Sequence, residues 1–307
     1  MIIDKIKDRL SGIITYGLTP PKLNLDPERI TAITNKHIDR INTLPIDALV
    51  LYDLQDEKER ITENRPFPFL PTIDPYNYAT NELQQLQIPK IVYRSVGKYT
   101  ETELKQFLLS PEQHLLTVFV GVASREQKVS LTLKDAYQIY KENNTTMLLG
   151  GVTIPERHKI HQNEHLRVKH KVAMGCRFFI TQAVYNTENA RNFLSDYYYN
   201  CQEEGIPCQP IIFTLSPCGS EKTLHFMKWL GIDIPKWLEN DLLHARDILE
   251  MSYNHCLSVC NDMIGFCVDK NIPMGFNIES VSIRKEEIDT AIELVHQVYK
   301  KLHNTGF

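Results

Sequence analysis

LRVKHKVAMGCRFFITQAVYNTENARNF, residues 166–193, sets how the whole chain is read. A charged amphipathic run ends at Gly175, a short apolar run (RFFITQAV, 177–184) follows, and a second helical pattern opens near 187 and continues to about 203. The apolar run is too short for a helix and is rich in aromatic and β-branched residues, which is how a buried strand between two helices reads. Such a strand, covered on its outer side by the helices that flank it, belongs to a parallel sheet.

The same beat extends in both directions. Strand patterns recur at 13–18 (IITYGL), 47–54 (DALVLYDL), 90–96 (KIVYRSV), 114–122 (HLLTVFVGV), 146–152 (TMLLGGV), 209–215 (QPIIFTL) and 275–282 (GFNIESVS). Helical patterns lie between them at about 27–42, from 100, at 131–142 and 161–174, through 219–270, and at 284–302. Eight strand–helix units in 307 residues predict the α/β class and a (β/α)8 TIM barrel, a single domain over 1–307. The competing architecture, a doubly wound sheet, would place a glycine-rich GxGxxG turn after an early strand, and none is present. Gly150 and Gly151 within a strand pattern admit two readings, close approach of a ligand or close packing of the barrel. A proline-rich irregular insert at about 62–82, with NRPFPFLPTIDPYNYAT at its centre, reads as a stiff lid or as a surface for a second subunit. A homo-oligomer or a partner enzyme therefore stays open.

Composition narrows the ligand. With 34 basic and 38 acidic residues interspersed, no basic stripe predicts nucleic acid, and a small molecule is the expected partner. MIIDKIKDRL has no secretory pattern and no uncharged run spans a bilayer, so no membrane is expected and the expected location is cytoplasmic. The seven cysteines, an odd number confined to the second half, read as reduced and mostly buried thiols. Cys256, Cys260 and Cys267 read as one packed helix face. The histidines of HKIHQNEHLRVKHK (His158, His161, His165, His170) read as a solvated helix face, and no metal is expected.

In a barrel of this kind the chemistry sits at the C-terminal ends of the strands. Those ends carry Tyr52 and Asp53, Tyr93 and Arg94, Ser124 and Arg125, Glu156, Gln182, Ser216, and Asn277 with Glu279. Gln182 offers a donor and an acceptor, suited to an amide or a pterin-like ring edge. Asn277 and Glu279, two apart, share a direction from their strand. An inward Glu279 would be a proton donor with a burial-raised pKa, and otherwise a partner of Arg94 or Lys171. Lys171 either reaches a ligand anion or faces solvent.

Several segments together resemble the methylenetetrahydrofolate reductase family. They are residues 166–193, GIPCQPIIFTLSP (205–217), WLGIDIPKWL (229–238), GFNIESVS, and TYGLTPPK with its paired prolines (15–22). The resemblance implies a barrel that binds FAD and passes a hydride from NAD(P)H to 5,10-methylenetetrahydrofolate, giving 5-methyltetrahydrofolate. By position it assigns Gln182 to the substrates and Lys171 to the flavin; Tyr52 and Asn277 are expected beside Gln182 as folate contacts, and Tyr93 and Arg94 beside Lys171 as cofactor contacts.

The departures from the family pattern are specific. Gly17 stands where the family has its strand-one glutamate, the general acid, and Val120-Gly121-Val122 replaces Arg-Gly-Asp on strand four. Tyr93 replaces a histidine, and Tyr52-Asp53 replaces tyrosine-glycine. Proton donation then falls to Glu279, with Asp53 and Glu156 behind it. Three functions remain: a divergent flavin-dependent reductase, a flavin-free folate-dependent methyl or methylene transferase, and a noncatalytic regulatory relative.

Overall fold

A computed structural model describes residues 1–56, 65–112, 114–121, 129–143 and 145–306. Its eight strands are β1 (Ile13–Leu18), β2 (Ala48–Leu51), β3 (Lys90–Ser95), β4 (Leu115–Val120), β5 (Leu148–Thr153), β6 (Phe178–Ala183), β7 (Ile211–Leu215) and β8 (Met274–Glu279). All pair in parallel, each with the next, and β8 closes on β1. The expected (β/α)8 barrel is the fold. Alternating interior and exterior positions explain the near-continuous apolar strands, because both faces are buried.

Local sequence starts the helices where the barrel needs them. In chain order they are α1 (Ile2–Lys7), α2 (Pro27–Ile41), the single turn α3 (Pro75–Asn77), α4 (Glu101–Leu108), α5 (Leu133–Glu142), α6 (Pro155–His161) and α7 (Glu164–Ala173). The remainder are α8 (Thr187–Glu203), α9 (Glu221–Trp229), α10 (Lys236–His244), α11 (Ile248–Lys270) and α12 (Lys285–Asn304). Asp26 caps α2 just before Pro27, and capping boxes Thr100/Glu103 and Thr132/Asp135 open α4 and α5. Each such cap stabilises its helix by about 1 kcal/mol. No helix among the described residues is long and apolar enough to cross a membrane.

Three elements differ from the sequence reading. The run at 161–174 belongs to two helices, broken where Gln162 adopts a left-handed conformation (φ 48°). The helical material of 219–270 divides into α9, α10 and α11, with Gly231 in a positive-φ turn after α9. The opening segment forms α1, whose Ile2 and Ile6 pack with Ile13, Leu116 and Phe178 in the barrel interior. Ser124, Arg125 and Val122 lie outside the described residues, as does the stretch 57–64, which includes the start of the insert.

Inside the barrel, Ala48, Val50, Ile91, Tyr93, Leu116, Val118, Phe178, Ile180 and Ile212 form one apolar cluster. Gly150 makes room for it, since a Cβ there would lie 2.5 Å from the Phe178 ring. The glycine pair is thus a packing device. Burying a side chain such as Phe178 contributes roughly 1.5–3 kcal/mol. All seven cysteines are buried and free.

Candidate active site at the barrel mouth

Two layers up the barrel, the interior turns polar on one side only. Asn277 on β8 accepts a hydrogen bond from Thr15 Oγ1 (2.9 Å) and donates from Nδ2 to the Tyr52 hydroxyl (2.8 Å) and to Thr214 Oγ1 (3.2 Å). This network satisfies a fully buried amide and fixes the Tyr52 oxygen. Tyr52 follows β2, and its ring meets the edge of Tyr93 with centroids 5.0 Å apart. Gly17 makes that position available: a Cβ there would stand 2.8 Å from both Cε2 and the hydroxyl oxygen of Tyr52. The tyrosine occupies the space beside strand one that a side chain at 17 would claim.

Glu279 is the direct ladder partner of Gly17 between β8 and β1. Burial pushes its carboxyl above the ordinary carboxylate range, with hydrogen bonds from Tyr52 and Asn277 pulling the other way. Burial first, and then the Glu279 charge, push the Tyr52 phenol well up, so Tyr52 is a neutral donor toward the carboxyl. Tyr93 is pushed up for the same two reasons. The structure therefore brings Tyr52, Tyr93, Asn277 and Glu279 together. Neither Arg94 nor Lys171 pairs with Glu279, so that alternative fails.

Gln182 reaches the mouth from a different direction. The β6–β7 register shifts between Ile180 and Ala183, and Thr181 fills the irregularity by accepting from Thr214 N–H (2.9 Å) while its carbonyl accepts from Thr214 Oγ1 (2.7 Å). Such a bulge re-aims the following side chain. Gln182 Nε2 donates to the Leu230 carbonyl (2.7 Å), which sits in the WLGIDIPKWL segment, and the amide oxygen keeps its acceptor capacity. Between Gln182 and Glu279, just beyond β7, Ser216 holds a buried hydroxyl without a hydrogen-bond partner among the described residues. It ends a strand in the sequence, but nothing there distinguishes it from Thr214.

Asp53 and Arg94 lie elsewhere. Each follows an inward-facing tyrosine and so faces outward. Asp53 accepts from Ser95 N–H (2.7 Å) and from the Tyr99 hydroxyl (2.8 Å), and pairs with Lys98. Arg94 donates to Asp74 (2.5 Å) and the Tyr99 oxygen (3.0 Å), with its guanidinium 4.3 Å from the ring centroids of both Tyr99 and Phe107. Burial would raise Asp74, but Arg94, the Asn77 N–H and Tyr99 outweigh it and hold the carboxyl below its usual value. The network fastens the insert to β2 and β3, outside the barrel.

Lys171 is likewise engaged. Its ammonium donates to the Val152 carbonyl, its stem runs past Gly151, and burial lowers its pKa. Glu156 is different again: its buried oxygens have no hydrogen-bond partner on another described residue, and burial, aided by the charges of Asp233 and Glu164, outweighs its own backbone N–H and pushes its carboxyl up to about 8. Within the histidine run His161 and His170 are exposed as expected, but His158 is not part of a solvated face: it is buried, with only 5 % of its side chain exposed, and His165 is half-buried.

A closed parallel barrel with an acid, an amide and paired tyrosines at its C-terminal mouth defines a small-molecule site of the kind this fold carries. The family model for methylenetetrahydrofolate reductase matches residues 141–295. An uncharacterised protein from Clostridium thermocellum, described as binding two copies of 5-methyl-5,6,7,8-tetrahydrofolic acid, is 51% identical; the match covers 98% of this chain and 100% of that one, with a TM-score of 0.88. This chain belongs to the methylenetetrahydrofolate reductase family. A 7,8-dihydropteroate synthase from Vibrio fischeri (10% identity, 95% and 93% coverage, TM-score 0.45) and a putative deoxyribose-phosphate aldolase from Toxoplasma gondii (9%, 98% and 99%, 0.44) add nothing to the argument. No curated protein matches the sequence.

The family implies FAD, and the described residues do not fit it well. Where the family carries its strand-four arginine, β4 ends in Val120, and the carbonyl of the following Gly121 already accepts from Gln55 Nε2 (3.0 Å); Val122, in the aspartate's place, lies outside the described residues. The two cations assigned to the cofactor, Lys171 and Arg94, are spent on Val152 and on Asp74 with Tyr99. Freeing either would leave a buried polar group unpaired, at about 1–3 kcal/mol each.

Proposed function

We propose that this chain binds a tetrahydrofolate bearing a one-carbon unit at N5 in the barrel mouth and moves that unit without a resident flavin, with Glu279 supplying the proton. The observation that carries the reading is the Gly17–Glu279 ladder pair: the acid absent from strand one is replaced by a carboxyl directly beside it on strand eight. A carboxyl raised by burial holds a proton closer to neutrality, as a general acid must. The 51% identical relative's ligand, 5-methyltetrahydrofolate, carries such a unit.

In this arrangement Gln182 Oε1 accepts from the pterin amide and amino N–H groups, and the half-buried Val120 and Val152 lie along the apolar side of the mouth. Glu279 protonates N5. The N5–methyl bond then breaks with its electron pair left on a neutral amine, and the methyl group passes to a nucleophile on a second substrate or partner protein. Tyr52, anchored by Asn277, donates a hydrogen bond to the carboxylate that Glu279 becomes, and Thr15 and Thr214 hold Asn277.

The test is the absorption spectrum of freshly purified protein, followed by titration with FAD and then with 5-methyltetrahydrofolate. Colourless protein that ignores FAD and binds the folate is expected, with affinity reduced at least tenfold by Gln182→Ala. A bound flavin bleached by NADH or NADPH would replace this reading with the family's usual reduction. Protein that binds neither would point to a noncatalytic, regulatory role.

A further inference from the structure

We propose that His158, His165 and Asp196 form a binding site for one divalent transition-metal ion of the zinc type, built between α6, α7 and α8. The three side chains come from three helices, and one ligand atom from each lies within 4.8 Å of the other two. A tetrahedral ion holds such atoms about 3.4 Å apart, given bonds of about 2.0–2.2 Å, so the set closes with shifts below roughly 1 Å. His158 Nε2 and Asp196 Oδ2 are already 3.0 Å apart.

The turn that makes the site is specific. Gln162 caps α6 in a left-handed conformation, and the chain reverses into α7 so that His158 and His165 face each other with ring centroids 5.4 Å apart and planes at 71°. Phe193 of α8 closes one side of His158 at 6.2 Å. Asp196 is half exposed and forms the open side, where water or a group from a second molecule would complete the coordination.

A second observation points to a ligand. The Nδ1 atom of His165 is buried without a hydrogen-bond partner among the described residues, while the almost wholly buried His158 turns its Nε2 to Asp196. Buried imidazole nitrogens are ordinarily satisfied. The unpartnered His165 nitrogen, on a ring packed against the His158 that meets Asp196, is what a bound cation would explain, and imidazole with carboxylate is a donor set that suits zinc.

The site is carried by helices and owes nothing to the folate reading. The experiment is a titration of chelator-treated protein with Co2+, followed by its ligand-field absorption, and then displacement by Zn2+. One ion per chain is expected, without thiolate charge-transfer absorption, because the ligand cluster contains no cysteine. Asp196→Asn, at an exposed position, should leave the metal-free protein's melting temperature unchanged and weaken Co2+ binding at least tenfold; His165→Ala should abolish it. Absence of uptake by the wild-type protein, or uptake that both variants retain, would overturn the proposal and leave an ordinary His158–Asp196 hydrogen bond.

Discussion

Gly17 and Glu279 face each other across the β1–β8 ladder, so the strand that lacks an acid lies directly against the strand that supplies one. Tyr52 stands over both, its ring in the volume a side chain at 17 would need and its hydroxyl toward Glu279. In the proposed function the missing acid at 17 and the carboxyl at 279 belong to the same corner of the mouth.

Gly17→Ala should therefore act through Tyr52. A Cβ at 2.8 Å forces the ring aside and breaks the Asn277–Tyr52 hydrogen bond. Overpacking of this kind costs about 1–3 kcal/mol. Denaturant unfolding should show that loss, and 5-methyltetrahydrofolate should bind more weakly; unchanged stability would mean that the ring moves freely and does not anchor the site.

The Arg94–Asp74 pair predicts a stability effect away from the ligand. Arg94→Met leaves Asp74 without its cation and should destabilise the fold on the order of 3 kcal/mol, while folate affinity stays within about threefold. Asp74 is held below its ordinary pKa, so it contributes stability above the ordinary carboxylate range and loses it as pH falls through the lowered value. Asp74→Asn should flatten that acid limb. Loss of folate binding in Arg94→Met, with stability intact, would instead place Arg94 in the ligand site.

Glu156 predicts the opposite pH dependence. Its folded pKa of about 8 lies above the ordinary 4.5, so its contribution is fully present below 4.5 and declines as pH rises toward 8, where it levels off. The slope is about 1.4 kcal/mol per pH unit at most. Glu156→Gln should gain stability relative to wild type across that window, read from melting temperatures at successive pH values. Parallel curves would show that Glu156 ionises normally.

The barrel was legible because β-branched strands and amphipathic helices repeat at a regular interval, and Asn277 with Glu279 could be paired by strand alternation. The same alternation separates Asp53 from Tyr52 and Arg94 from Tyr93, but only once one member of each pair is known to face inward. Helix hydropathy hid the plug formed by Ile2 and Ile6, since six residues carry too little periodicity. His158 looked solvated among Arg157, Lys159 and His161. Its burial depends on the left-handed turn at Gln162 and on α8, some 30 residues on, which no local pattern encodes.

The central claim is that Glu279 is the acid, and the ultraviolet difference spectrum of bound 5-methyltetrahydrofolate against pH tests it most directly, because protonation at N5 changes the pterin absorption. The wild-type complex should show a titration displaced above the ordinary carboxylate value of 4.5. In Glu279→Gln that titration should vanish while the folate still binds, and turnover with a competent acceptor should fall by about 10²–10⁴. An identical titration in both proteins would contradict the account.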